Sequence, residues 1–294
     1  MRRLALAAIL AGLGYACLGS HRALPPAPST PAPARWSKDE LNVAWIGHAS
    51  VLVGFAGTTL LTDPTFFDRV GPQVGSVTIG PRRVVAPALM PDDLPALDAV
   101  VLSHAHMDSL DRPSLRAIAS GRLLVTPPRT RDLVDDLGFA RVVELGWGEK
   151  ITAGDVEIEA IDVDHWGKRW PWERWRGYNG YLFTRGATTV LFAPDTAYAP
   201  ALARLAKERH VAAMIQGNGA YDPWIHHHAA PEQVWDMFVQ SGARVLIPVH
   251  WDTFRLGREP LGDAMRRLLT AAGPDADRVV VRQIGDTWTA PCCG

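Results

Sequence analysis

Five residues able to ligate a metal ion, His104, His106, His165, Asp195 and His250, lie in four separate stretches of the chain. Each stretch directly follows an apolar run with β-strand character. The run at 98–103 feeds into His104-Ala105-His106-Met107-Asp108-Ser109, and the run at 156–163 into Asp164-His165. The runs at 188–193 and 244–249 lead to Pro194-Asp195 and to His250. Two imidazoles one residue apart can both turn toward a single ion once the backbone leaves an extended conformation, and Asp108 adds an oxygen donor nearby. No Cys accompanies these positions. Nitrogen and oxygen donors without thiolate suit a catalytic ion that keeps a position for water, whereas structural zinc sites are rich in Cys. The chemistry implied is hydrolysis by a metal-activated water.

Such a centre needs elements that bring the four stretches to one place. The alternation and β-branched content predict strands over 42–46, 50–54, 58–62, 98–103, 122–126, 141–145, 156–163, 178–184, 188–193, 211–215, 244–249 and 278–284. Helical patterns fall over 113–119, 129–137, 200–209, 231–241 and 260–272. Four of these have proline in the first turn, where its missing N–H costs nothing. Hairpins early and strands alternating with helices later predict an α/β fold of two mixed sheets packed face to face with helices outside. Function then belongs to loops at one sheet edge.

The chain has 294 residues, 47% hydrophobic and 21% charged, with a formal net charge of −1, enough for one sizeable core and without a global field for nucleic acid. Met1-Arg2-Arg3 and the apolar run at 4–18 match a signal peptide, assigned to 1–17, too short for a membrane span. Cys17 after Gly14-Tyr15-Ala16 resembles a bacterial lipoprotein processing site, although Leu13 stands four places before it where the pattern has three. The expected location is therefore the cell envelope or periplasm, with a lipid anchor at Cys17 as one route to the membrane. A Pro/Ala-rich solvated tether is expected over 18–35, the folded domain over 36–294, and at Cys292 and Cys293 two idle thiols in preference to a strained vicinal disulfide.

His104-Ala105-His106-Met107-Asp108 resembles the His-x-His-x-Asp-His signature of the metallo-β-lactamase superfamily. Trp45-Ile46-Gly47-His48-Ala49-Ser50, Leu60-Leu61-Thr62-Asp63-Pro64 and Val249-His250-Trp251-Asp252-Thr253-Phe254 narrow the resemblance. They look like the branch containing N-acylphosphatidylethanolamine phospholipase D and, more distantly, L-ascorbate-6-phosphate lactonase, over about residues 42 to 262. The resemblance implies a four-layer αββα sandwich. It implies His104, His106 and His165 on a first metal, Asp195 bridging, and Asp108 and His250 on a second. Zinc is the default ion, one or two, with manganese or iron also compatible with the donors. Where the signature has its third histidine this chain has Ser109, a much weaker donor, so the second site loses a strong ligand.

Around these residues, His228 of His226-His227-His228 matches a family position facing the active site and, with Asp108, is a candidate catalytic group. Asp63 is either an outer carboxylate that orients a ligand histidine or a turn residue. His48 reads as a hydrogen-bonded loop or core group. The segment from Trp166 to Arg176 holds four tryptophans and four cations, and Arg169, Trp170, Arg174 and Arg176 are the expected contacts to an amphiphilic phosphodiester, unless they form a packing loop. The expected activity is phosphodiester hydrolysis of the phospholipase D type, on a small-molecule or lipid substrate and not on nucleic acid. Lactone or ester hydrolysis is the alternative. A non-catalytic, envelope-tethered metal-binding protein is the reading of another class. The sequence leaves the oligomeric state open.

Overall fold

The structure, a computed structural model, describes residues 23–173 and 175–292. The segment read as a signal peptide, Cys17, Arg174 and Cys293 lie outside the described residues. The first sheet is built from β1 (Glu40–Gly47), β2 (Ser50–Phe55) and β3 (Thr58–Thr62), then, past a small ribbon of β4 (Gln73–Val74) and β5 (Val77–Thr78), from β6 (Ala99–Val101), β7 (Leu123–Thr126) and β8 (Arg141–Glu144). The second takes β9 (Lys150–Ala153), β10 (Val156–Ile161), β11 (Gly180–Arg185), β12 (Thr188–Ala193), β13 (Val211–Gly217) and β14 (Val245–Val249). The last strand, β15 (Thr287–Pro291), returns to pair antiparallel with β1, giving the orders β15-β1-β2-β3-β6-β7-β8 and β14-β13-β12-β11-β10-β9. Among the described residues, four helices cover the outer faces: α1 (Arg112–Ile118), α2 (Pro200–Glu208), α3 (Pro231–Ser241) and α4 (Asp263–Ala272).

Alternation along the strands creates the layers. In β1, Val43 and Trp45 face the second sheet while Ala44 and Ile46 face outward, and all four are buried. In β12, Val190 and Phe192 enter the central layer while Leu191 and Ala193 meet the helices. Strands buried on both faces read as nearly unbroken apolar runs because each side has its own covering layer. Leu115 and Ile118 of α1 close one outer layer, and Leu202, Val234, Phe238 and Leu268 of the other helices close the opposite one. The result is the expected αββα sandwich.

Strand direction then fixes where the loops go. Strands β3, β6, β7 and β8 run parallel, as do β12, β13 and β14. Antiparallel steps through β2 and β11 point β1 and β10 the same way as β3 and β12. The ends of β1, β3, β6, β10, β12 and β14 therefore deliver His48, Asp63, His104, His165, Asp195 and His250 to matching edges of the two sheets.

Four expectations are revised. The run at 278–284 is not a strand: Val281 has φ +56°, and the Asp286 carboxylate accepts from the N–H groups of Arg282 and Gln283, bending the chain into a turn. The strand lies instead at β15, and β9 is a further strand too short and polar to stand out. The pattern at 129–137 forms only a short 3-10 turn, Arg131–Leu133, because Arg129 has φ +62° and Glu144 captures the N–H groups of Thr130 and Arg131. The described part of the tether is docked on the domain. Pro25 accepts from Ala86 N, Ser29 donates to Asp286, and Pro31 is buried. Cys292 is engaged in a disulfide and is not an idle thiol.

Asp111, just beyond the loop that carries the first histidines, caps α1 by accepting from Ser114 N at 3.1 Å and Ser114 Oγ at 2.6 Å. Asp111→Ala is expected to lower stability by about 1 kcal/mol in denaturant unfolding, the usual cost of a lost N-cap.

Candidate metal centre

Ring nitrogens of His104, His106 and His165 and a carboxylate oxygen of Asp195 lie within 4.8 Å of one another. His104 Nε2 is 2.8 Å from His106 Nδ1 and 3.3 Å from Asp195 Oδ2. His165 Nε2 is 3.4 Å from His106 Nδ1 and 3.7 Å from Asp195 Oδ2. Donors about 2 Å from a tetrahedral ion stand about 3.3 Å apart, and the four separations scatter around that spacing.

The tautomers support the same reading. With Asp63 ionised, Ser103 Oγ donates to its Oδ2 at 2.5 Å, accepts from His104 Nδ1–H at 2.8 Å and leaves His104 Nε2 with its lone pair. His165 donates its Nδ1–H to His227 O at 3.1 Å, which leaves its Nε2 in the same state. Two lone pairs and a carboxylate oxygen thus converge on one small volume, and His106 Nδ1–H could satisfy only one of them. A divalent cation satisfies all, so the donors fit a metal ion. Burial, reinforced by the neighbouring rings, holds His104 and His165 well below the usual imidazole range, and burial pushes His106 down to about 4. Neutral imidazole is the form that ligates.

Asp63, predicted either to orient a histidine directly or to serve a turn, acts through Ser103, whose N–H it also binds at 2.7 Å. Burial pushes its carboxyl well above the ordinary range, against those two bonds. Beside the first donors, Asp108 Oδ2 lies 3.3 Å from His250 Nε2 and 3.0 Å from His48 Nε2. Burial would raise the Asp108 carboxyl, but the bonds from His250 and His48 outweigh it and hold the group well below its usual range. His250 Nε2 also meets Asp195 Oδ1 at 3.1 Å. Burial disfavours the charged ring, yet Asp195 and Asp108 lift His250 to about 9. His48, read from sequence as a loop or core group, is thus at the centre; its advance signals were its place behind an apolar run and in one of the segments that carry the family resemblance.

Close backbone approach depends on two glycines. A Cβ at Gly217 would stand 1.8 Å from Pro194 O, and one at Gly219 would stand 2.2 Å from His250 O. Any side chain there pushes apart the loops that carry Asp195 and His250.

His106, Asp108, Trp166, Asp195, Ala220, Trp224, His228, His250 and Leu256 line a cavity of about 230 Å³. His228 stacks on His250 at 5.2 Å, and burial, then the neighbouring His250, holds it well below the usual imidazole range. The Trp/Arg segment behaves differently from expectation. Arg169 Nη1 donates to the carbonyls of Ala105 and Leu110, both at 2.9 Å, bracketing the loop of His106 and Asp108. Arg176 is paired with Asp132 at 2.6 Å and Glu173 at 2.8 Å, and Trp170 stacks on Trp172. These guanidinium groups hold the loop together, while Trp166, stacked on His165, supplies the aromatic wall. Trp224 and Leu256, which also line the cavity, carried no signal in the sequence.

A family model described as a beta-lactamase superfamily domain matches residues 58–251, which include every donor except His48. The chain belongs to this superfamily. Within it, an uncharacterized protein of Mycobacterium tuberculosis is 30% identical over 271 residues, covering 89% of this chain and 72% of that protein. The N-acyl-phosphatidylethanolamine-hydrolyzing phospholipase D 1 of Caenorhabditis elegans is 28% identical over 280 residues, covering 86% and 77%. Among solved structures, a possible metal-dependent hydrolase from Veillonella parvula shares the fold with a TM-score of 0.70 at 19% identity, covering 85% of this chain and 99% of that one. Against the superfamily's histidine-rich signature, Ser109 is buried with its hydroxyl unpartnered.

Replacing Ser103 with Ala removes the acceptor for His104 Nδ1–H and one of the bonds to Asp63. The expected result is a metal affinity about 10–100-fold weaker in chelator competition, the usual cost of losing an outer partner of a ligand histidine.

Proposed function

We propose that the chain is a zinc-dependent phosphodiesterase of the phospholipase D type, acting on a phosphodiester with an apolar portion. The observation that carries the reading is the mixed lining of the cavity, where the polar groups of His106, Asp108, Asp195 and His250 stand together with the apolar surfaces of Trp166, Trp224 and Leu256. A site lined in this way suits a substrate with a polar reacting centre and an apolar body. The similarity to the nematode enzyme, whose name gives it such a substrate, supports the same class.

His104, His106, His165 and Asp195 would hold a first ion, with Asp108 and His250 beside it. A bound divalent ion supplies Lewis acidity, bringing the pKa of water toward neutrality and withdrawing charge from a phosphoryl or carbonyl oxygen. Asp108, kept ionised by its imidazole partners, is a hydrogen-bond acceptor that orients water in the cavity. His228 borders the same space and donates a hydrogen bond to the leaving oxygen, where charge develops as the bond breaks. Trp166 and Trp224 give the cavity apolar surface that excludes water. Ile225 and Trp224, both exposed at 38% and 47%, extend that surface outward for an acyl chain.

Export and acylation of Cys17 belong to the same proposal, since an anchored enzyme would meet a lipid substrate at a membrane surface. Among the described residues no helix is long and apolar enough to cross a membrane. Lactone or ester hydrolysis is a second reading, favoured by one observation: Arg169 and Arg176, two of the cations expected to grip a phosphate, are occupied by protein partners.

Stripping the full chain with a chelator is expected to abolish turnover of amphiphilic phosphodiesters, and zinc or manganese to restore it. Turnover confined to a lactone panel would reject the phosphodiesterase assignment. His228→Ala is expected to lower kcat about 10²–10³-fold with metal content unchanged.

A further inference from the structure

Where Ser109 replaces a strong donor, another imidazole enters from a different part of the chain. His48 sits on the turn between β1 and β2, 1% exposed, with Nε2 3.0 Å from Asp108 Oδ2. The same carboxylate oxygen lies 3.3 Å from His250 Nε2, and the rings of His48 and His250 are 4.0 Å apart. Donor atoms of His48, Asp108 and His250 all fall within 4.8 Å of one another. The Nδ1 atoms of both rings are buried without a hydrogen-bond partner, so each ring's polar contacts run through Nε2, toward Asp108. Asp195 divides its oxygens: Oδ2 faces His104 and His165, and Oδ1 faces His250.

The backbone holds this geometry firmly. His48 has φ +54° and His250 φ +62°, left-handed values that non-glycine residues seldom adopt. His250 N–H donates to His48 O at 3.0 Å, Trp45 Nε1–H to the same carbonyl at 2.7 Å, and His48 N–H to Thr253 Oγ1 at 2.8 Å. Strained residues that neighbours over-determine in this way are characteristic of functional sites.

We propose that His48, Asp108, His250 and Oδ1 of Asp195 hold a second divalent ion, with His48 supplying the imidazole that Ser109 cannot. The inference rests on the metal-centre reading above and adds a ligand and a stoichiometry to it. The rival role for His48 is a hydrogen bond that merely orients Asp108. Losing such an outer partner weakens metal binding about 10–100-fold, whereas losing a ligand empties the site at ordinary metal concentrations.

The test uses the full chain stripped and reloaded with zinc, read by elemental analysis and chelator competition. His48→Asn is the variant, because Asn tolerates left-handed backbone. The expected result is two ions per chain in the parent and one in the variant, the first ion's affinity unchanged and the second's weakened more than about 100-fold. Anomalous scattering at the zinc edge from parent crystals gives a readout independent of the variant's folding, with a second peak expected about 2 Å from His48 Nε2. A parent that binds one ion, a variant that keeps two with little change in affinity, or a second peak nearer His228 than His48 overturns the proposal. A parent that binds none overturns the metal-centre reading with it.

Discussion

Lone pairs aimed at one another in a buried volume repel unless a positive charge stands between them. His104 and His165 have their Nδ1–H groups committed to Ser103 and His227, so their Nε2 atoms have only acceptor character left to present to Asp195 and His106. A fold that gathers these groups from loops behind three strands, and buries them, is stable as a cation site. As an empty polar pocket it would carry the cost of unsatisfied buried acceptors, about 1–3 kcal/mol each. The sheet directions, the close-approach glycines and the Arg169 clamp all serve to keep these atoms converged.

That dependence explains why the loops are so heavily tied. Arg169 reaches from the Trp-rich segment to both ends of the loop carrying His106 and Asp108, and Glu173 in turn accepts from the N–H groups of Arg169 and Trp170. A guanidinium that bridges two carbonyls through one nitrogen positions backbone, and its charge is spent there. The chemistry of the pocket therefore comes from imidazoles, carboxylates and aromatic faces more than from cationic side chains.

Much of this was legible in the sequence because strand direction and ligand placement follow simple rules. Apolar runs ending in His or Asp mark strand ends, and a four-layer sandwich has to bring such ends to a common edge. Three features were hidden. The second strand-like apolar run near the C-terminus is broken by a left-handed Val281, which no periodicity reveals. The cations at Arg169 and Arg176 looked free because their partners, Ala105 O, Leu110 O and Asp132, are distant in sequence. His48 lies far from every other donor in sequence, and the bonds from His250 N to His48 O and from His48 N to Thr253 Oγ1 join its turn to the centre.

The central claim is that imidazole nitrogens and carboxylate oxygens of these loops share an ion. X-ray absorption at the zinc edge of the loaded protein tests it most directly. The account predicts a first shell of nitrogen and oxygen alone, about 2.0–2.1 Å from zinc, with strong outer scattering from several imidazole rings. A sulfur shell near 2.3 Å, or a shell without imidazole scattering, would contradict it.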